Sequence, residues 1–352
     1  MVPRIKSQVR LSLPACHPTF ALSFWPLRMA SAREVGLPNS VGFIGLGAMG
    51  KPMAINLAKA LPAGSQIYIH DIVEAAAEEL CTSFPQVIVK CENAKEVAAQ
   101  ADVILTMLPE GAHVKSVYLD PNNGILAALT SPTSSPKLLI DSSTIDTATS
   151  LYVKEQLAVL SPTTSFYDAP VSGGTLGAVN ATIAFFLGCS ASDPNLATLK
   201  TLLQPMGGKI IPCGGPSLGL AAKLSNNYLS GIITIACSEA MDMGMRAGID
   251  ASVLASVFAA GTAQNTICDV FNPVPGVCPR APPSNGYQGG FRVQLMRKDI
   301  GLAVQMARNV GARNALGASG LGVYTAASEA PDCKGLDSRV VYRYLGGKED
   351  WK

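Results

Sequence analysis

Val41-Gly42-Phe43-Ile44-Gly45-Leu46-Gly47-Ala48-Met49-Gly50 is the stretch that decides the fold of this chain. A short apolar run leads into Gly-x-Gly-x-x-Gly, and an Ala/Leu-rich stretch from Pro52 to Leu61 reads as a helix. Gly45 lets the chain turn tightly, Gly47 lets the backbone approach a pyrophosphate, and Gly50 lets helix and strand pack closely. The helix N-terminus offers unpaired N–H groups and a partial positive charge to phosphates. Alone, such a pattern is weak, because a Gly-rich turn can exist without a ligand. Here a strand precedes it, a helix follows, and a second apolar run, Gln66 to His70, ends in Asp71, 21 residues beyond Gly50. Gly45, Leu46, Gly47, Ala48, Met49 and Gly50 are therefore the candidate dinucleotide loop, with Asp71 at the ribose.

A carboxylate at that position hydrogen-bonds ribose hydroxyls and repels a 2′-phosphate. Ile72, Val73 and Glu74 follow it, with no adjacent Arg or Lys. The expected cofactor is NAD rather than NADP.

The 352 residues are 48% hydrophobic and 15% charged, enough for a large core and two domains. A formal net charge of +2 gives no case for a nucleic-acid partner. No stretch reads as a membrane span. Nine scattered Cys, never spaced as Cys-x-x-Cys, fit reduced thiols better than a disulfide frame or a zinc site, so no metal is expected. The first 33 residues hold Arg4, Lys6, Arg10, Arg28 and Arg33 and no acid. That is the composition of a mitochondrial targeting peptide bound for the matrix; a tail without an address is the other reading.

From residue 41 to about 213, strands and helices alternate. Strands are expected at Gln66–His70, Val87–Val89, Val103–Pro109, Leu138–Asp141, Phe166–Pro170, Ile183–Leu187 and Lys209–Cys213. Alternation of this kind predicts an α/β, doubly wound, mostly parallel sheet. From Leu220 the strand punctuation stops. Long amphipathic runs at Leu220–Gly248, Ser252–Ala260, Leu295–Asn309, Leu316–Glu329 and Asp337–Leu345 predict an all-helical second half, interrupted by a Pro/Gly-rich loop at Asn272–Gly290. The expected division is a targeting segment at 1–38, a dinucleotide-binding Rossmann domain at 39–216 and an all-α domain at 217–352.

Ligands of doubly wound sheets lie beyond the carboxyl ends of the strands. Three polar clusters fall there: Leu108-Pro109, Asp141-Ser142-Ser143-Thr144, and Pro170-Val171-Ser172-Gly173-Gly174. Each alone can be an ordinary strand-to-loop turn. The hydroxyl and N–H groups of Ser172, Gly173 and Gly174 suit a carboxylate. A fourth cluster, Lys223-Leu224-Ser225-Asn226-Asn227, opens the long helix, and Lys223 and Asn227 share one face. Spacing alone leaves two readings: a Lys snorkelling to the surface, or one placed at a site.

These residues resemble the 3-hydroxyisobutyrate dehydrogenases of the β-hydroxyacid dehydrogenase family. The Gly42–Gly50 motif resembles the family's opening. Asp141–Thr144, Asp168–Gly174 and Lys223-x-x-Asn226-Asn227 match its substrate motifs. Asn272–Val277 and Tyr287–Phe291, followed by Lys298-Asp299, are similar to the mitochondrial branch. The resemblance covers roughly residues 40–347. It implies a 6-phosphogluconate-dehydrogenase-like fold and a homo-oligomer, dimer or tetramer. It also implies NAD-dependent oxidation of (S)-3-hydroxyisobutyrate to methylmalonate semialdehyde, a step of valine catabolism.

Residue by residue, the resemblance implies Lys223 as general base and Asn227 as its orienting partner on the substrate. It places the carboxylate on Ser172, Gly173 and Gly174, and adds Phe291 and Asp299 to the substrate side. Leu108, Pro109, Thr144 and Lys298 match cofactor-contacting positions. The chain departs from the family in three places. Ala181-Thr182-Ile183 stands where Gly-Asn-Leu is usual, Thr262-Ala263 where Ser-Gly is common, and Thr266 where an aromatic residue often covers the substrate. Those departures leave the substrate side chain open. A glyoxylate, succinic or tartronate semialdehyde reductase of the same family is the nearest alternative, although such enzymes tend to carry Asn-Arg where Asp71-Ile72 stands. A non-catalytic cofactor-binding scaffold is the remote one, set against by the presence of Lys223.

Overall fold

In the computed structural model, residues 36–130 and 135–351 are described, and all of them fall in one compact unit spanning 35–352. The expected targeting segment lies outside the described residues up to residue 35. β1 (Ser40–Ile44) runs into the Gly-rich loop and then α1 (Gly50–Ala60). Met53, Ala54, Leu57 and Ala58 recur at helical spacing and form the buried face of α1. The order continues with β2 (Gln66–His70), α2 (Glu74–Ser83), β3 (Ile88–Lys90), α3 (Ala94–Gln100) and β4 (Val103–Thr106). Then come α4 (Gly111–Leu119), α5 (Ile125–Leu129), β5 (Leu138–Asp141), α6 (Thr147–Leu160) and β6 (Ser165–Asp168).

These strands form a six-stranded sheet in the order β3-β2-β1-β4-β5-β6, every neighbour parallel. Alternate residues sort to its two faces. Val41, Phe43, Ile67, Ile69 and Leu105 pack with Met53 and Leu57 of α1. Ile44, Ile104 and Leu139 pack with Val97, Val114, Ile125 and Val153 on the other side. Burial on both faces explains why these strands read as continuous apolar runs. The strand order reverses between β1 and β4, and that switch point opens a crevice at the carboxyl ends.

The next strands do not extend this sheet. β7 (Val171–Ser172), β8 (Ala184–Leu187) and β9 (Lys209–Pro212), with α7 (Gly174–Val179) and α8 (Leu196–Leu203), make a separate three-stranded sheet in which β7 is antiparallel to β8. The expectation of one doubly wound sheet through residue 213 is corrected here. Ala169 N makes the last bond to β5, to the Asp141 carbonyl at 2.7 Å; Pro170, with its fixed φ, follows, and the chain turns out of the sheet there. The amide nitrogens of Phe186 and Gly188 instead bond the Pro170 and Asp168 carbonyls, at 2.9 and 2.7 Å.

The helical half is built on α9 (Leu218–Arg246). Its 29 residues span about 43 Å at 1.5 Å per residue. Leu220, Lys223, Leu224, Asn227, Gly231 and Thr234 lie on its buried stripe. α10 (Ala251–Ala260), α11 (Thr266–Val270), α12 (Val293–Asn309), α13 (Gly317–Glu329) and α14 (Val341–Tyr344) complete it. A Cβ at Gly231 would stand 2.8 Å from Ile300 and 3.2 Å from Met296, so the absence of a side chain lets α12 cross α9 closely. The expected helix over Asp337–Leu345 is split into a 3-10 turn, Ser338–Val340, and α14. Asp337, fully buried, holds the turn by accepting from Phe291 N, Arg339 N and the Arg339 guanidinium. No helix among the described residues is long and apolar enough to cross a membrane.

Candidate active site

The Gly-rich loop is shaped by contacts that admit no side chain at two of its glycines. Gly45 has φ +95°, and a Cβ there would collide with the Met107 carbonyl; one at Gly50 would be driven into the Gly45 carbonyl. Around Gly47 nothing lies within 4 Å of where a Cβ would stand. That backbone is open to approach, and Ala48 beside it is exposed. Asp71 Oδ2 accepts from Leu46 N at 2.5 Å and Oδ1 from Val73 N at 2.7 Å, so the carboxylate is held against the loop. The residues fit a dinucleotide: tight turns at Gly45 and Gly50, open backbone at Gly47, Met49 leading into α1, and an acid at the end of β2.

Across the switch point, the ends of β4 and β5 are locked together. Ser143 Oγ donates to Asp141 Oδ1 at 2.5 Å and accepts from Leu108 N at 2.8 Å. Thr106 Oγ1 donates to the same Asp141 oxygen at 2.7 Å and meets the Tyr118 hydroxyl at 3.0 Å. Burial pushes the Asp141 carboxyl up to about 6, and the Ser143 and Thr106 hydrogen bonds oppose that. Asp141 and Ser143 thus set the path of Leu108-Pro109 and are buried rather than presented to a ligand. Their place in the motif was legible; their partners were not.

The helical wall closes the crevice. Lys298 of α12 donates to the Thr144 carbonyl at 2.6 Å and to the Pro109 carbonyl at 3.4 Å. Its ammonium also lies 3.3 Å from Asp299 Oδ1. Asp299, 1% exposed, accepts from Asn227 Nδ2 at 2.6 Å through its other oxygen. Asn226 donates to Asn227 Oδ1 at 3.2 Å, which fixes the Asn227 amide. Lys223 stands one helical turn before Asn227 on the same buried stripe and is 7% exposed. The snorkelling reading is therefore set aside. Burial pulls the Lys223 amine down to about 8, Asp299 opposes this, and the Lys298 charge adds to it. Among the described residues no hydrogen bond from protein engages that amine.

Asp168 was quoted in the sequence as part of a strand-end motif, and the structure gives it a positioning role. Its Oδ1 accepts from Ser217 N at 2.7 Å and its Oδ2 from Leu220 N at 2.9 Å. It caps the first turn of α9 from 49 residues away and so aims the helix that carries Lys223. Gly188 and Gly219 pack against this carboxylate where a Cβ would overlap it. Burial raises the Asp168 pKa, and the two backbone bonds resist the rise.

The turn Ser172–Gly174 has glycine φ values of +136° and +63° and leads into α7. Asn56 of α1 anchors that helix by donating to Ala178 O at 2.7 Å. Among the described residues no hydrogen bond joins this turn to the Lys223 group. Phe291 packs on the core that holds Tyr287 and Val293, and its backbone N–H donates to Asp337. Thr262, Ala263 and Thr266 are exposed. Ala181 adopts φ +55°, a conformation suited to the Gly that the family usually carries there. Among the described residues no group of His, Cys, Asp and Glu is arranged to hold a metal.

A family model described as the NAD binding domain of 6-phosphogluconate dehydrogenase matches residues 40–215. A second, described as NAD-binding of NADP-dependent 3-hydroxyisobutyrate dehydrogenase, matches 218–345. A probable mitochondrial 3-hydroxyisobutyrate dehydrogenase of Dictyostelium discoideum is 42% identical, over 87% of this chain and 90% of its own length. An NAD-dependent L-serine dehydrogenase of Pseudomonas aeruginosa is 37% identical, over 81% of this chain and 90% of its own. The solved Mycobacterium tuberculosis 3-hydroxyisobutyrate dehydrogenase with L-serine superposes with a TM-score of 0.78 at 35% identity, covering 87% of this chain and 98% of that one. Fold and site together define an NAD(P)-dependent β-hydroxyacid dehydrogenase. Within that class, the chain belongs to the 3-hydroxyisobutyrate dehydrogenase family.

Proposed function

We propose that this protein oxidises (S)-3-hydroxyisobutyrate to methylmalonate semialdehyde with NAD, and that Lys223 is the general base. The observation that carries the reading is the buried Lys223 amine, which no hydrogen bond engages among the described residues, on the helix that also carries Asn227 of the Asn227–Asp299–Lys298 chain. Bound nicotinamide supplies the hydride acceptor. Lys223 Nζ takes the hydroxyl proton as the carbinol carbon gives up its hydride, so the alcohol leaves as an aldehyde. An amine titrating near 8 is neutral in a useful fraction of molecules at neutral pH. Asn227, held by Asp299 and Asn226, orients Lys223 and the reacting oxygen. Ser172, Gly173 and Gly174 offer only donors and hold the carboxylate; Phe291 borders the substrate. Lys298 fixes Pro109 and Thr144, which line the cofactor with Leu108. We place the domain division at 39–216 and 217–352, in keeping with an α9 that begins at Leu218.

Asp71 and the absence of a neighbouring cation support NAD. The acid-free basic segment, together with relatives named as mitochondrial, supports delivery to the matrix; a reporter fused to residues 1–40 tests this by its location and shortening. The apolar, half-exposed α10, with Val253 and Val257 each 55% exposed, supports a homo-oligomer.

L-Serine is the second reading, favoured by the serine dehydrogenase relative and by the ligand named for the M. tuberculosis structure. It shares the 3-hydroxyl and carboxylate but carries an ammonium where the methyl group stands. Rates with (S)-3-hydroxyisobutyrate, its methyl ester and L-serine, each with NAD and with NADP, separate the readings. The expected order is the acid with NAD first and the ester far behind. Preference for serine, or for NADP, would overturn the corresponding part.

A further inference from the structure

The adenosine end of the crevice carries more acid than the fingerprint requires. A cleft of about 430 Å³ lies between the Gly-rich loop and α2, lined by Leu46, Gly47, Ala48, Lys51, Ala76 and Glu79 among others. It adjoins Asp71, because the Leu46 N–H that borders it is the one Asp71 holds. Lys51 sits at the positive end of α1, where a phosphate would find both a helix N-terminus and an ammonium. That ammonium is engaged by Glu79 of α2 at 2.5 Å. The other cation at this end, Lys90, pairs in β3 register with Ile69 near the end of β2. Two further α2 carboxylates, Glu74 and Glu78, engage it. Both cations are thus held by α2 glutamates, Lys51 by Glu79 and Lys90 by Glu74 and Glu78, with Asp71 beside them at the end of β2.

The geometry points to α2 as a second NADP-excluding element: Glu79 holds Lys51 away from a 2′-phosphate that the cleft has room to take. Asp71 repels that phosphate directly, and Glu79 withholds the cation that would bind it. The inference rests on the reading of the Gly45–Gly50 loop and Asp71 as an NAD site. A 2′-phosphate brings close to two negative charges at neutral pH, so it is sensitive to one freed ammonium and one removed carboxylate.

The test compares calorimetric binding of 5′-AMP and 2′,5′-ADP, which differ only in the 2′-phosphate, to the full chain. Wild-type protein is expected to bind 5′-AMP more tightly. Glu79→Gln is expected to tighten 2′,5′-ADP about tenfold, the scale of one charge-assisted contact, with 5′-AMP unchanged. Lys51→Met in the Glu79→Gln background is expected to cancel the gain. Glu79 is 63% exposed, so the substitution leaves the core untouched, and unchanged thermal unfolding verifies that. No gain in Glu79→Gln, or a gain that survives Lys51→Met, overturns the role of Glu79 while leaving the NAD reading intact. A wild-type preference for 2′,5′-ADP overturns the NAD reading and this inference with it.

Discussion

The two halves of the molecule build one site by different means. The nucleotide-binding half works through its backbone: turns at Gly45 and Gly50, open main chain at Gly47, and carbonyls of Pro109 and Thr144 at strand ends. Its decisive residues are close in sequence, with Leu46 and Asp71 only 25 apart. The helical half works through side chains carried by different helices. Asn227 and Asp299 are 72 apart, and Lys298 meets Thr144 and Pro109 across 154 and 189 residues. A backbone site tolerates many side chains and fails when a Cβ intrudes. A side-chain site tolerates little change in its polar groups and depends on helix placement.

The sharpest way to test that contrast is Lys223. Lys223→Ala is expected to lower kcat about 10²–10⁴-fold, the range for a lost acid–base group, with NAD affinity nearly unchanged by fluorescence titration. Lys223→Arg is expected to fail as well, since a guanidinium stays protonated. In wild-type enzyme, oxidation is expected to speed up as pH rises through about 8, where Lys223 loses its proton. Aldehyde reduction needs the ammonium and is expected to slow over the same range. One shared profile for both directions would move the proton to another group.

In the other half, Gly50→Val forces a side chain into the Gly45 carbonyl. The expected result is a loss of about 3 kcal/mol in denaturant unfolding and a weakened cofactor Kd. Asp168→Asn tests whether α9 is aimed from the sheet. The amide can accept one of the two backbone N–H groups but offers its own N–H to the other. A loss of about 2 kcal/mol is expected, because a buried donor is left unpaired, together with a fall in kcat as Lys223 shifts. Stability falling while kcat holds would confine Asp168 to a structural role. The smallest effect is expected at Ala181, in left-handed backbone at φ +55°. Ala181→Gly should stabilise the fold by about 1 kcal/mol, read as a raised Tm with unchanged kinetics.

How far the sequence could be read follows the same division. The mostly parallel sheet and the Gly-rich loop were legible because strand, turn and helix signals are local and periodic. The separate sheet of β7, β8 and β9 was not, since its strands look like the earlier ones and only the turn at Pro170 diverts them. Short helices such as α4, α5, α7, α8 and α11 also escaped, being five to nine residues long. Lys223 was visible as an oddity on an apolar helix, yet spacing could not tell a snorkelling Lys from a buried one. Asp168 was visible as a residue and invisible as the cap of α9.

By itself the sequence determined the class of fold, the dinucleotide loop with its acid at the second strand, and the set of polar residues available for chemistry. These depend on contacts within a few turns of the chain, which periodicity and glycine placement record. Only the tertiary structure decided that Lys223 is buried, that Asn227 and Lys298 converge on Asp299, and that Asp168 aims α9. Those outcomes depend on the close crossing of α9 and α12 at Gly231 and on hydrogen bonds across tens to hundreds of residues, and such distances leave no local pattern in a single chain.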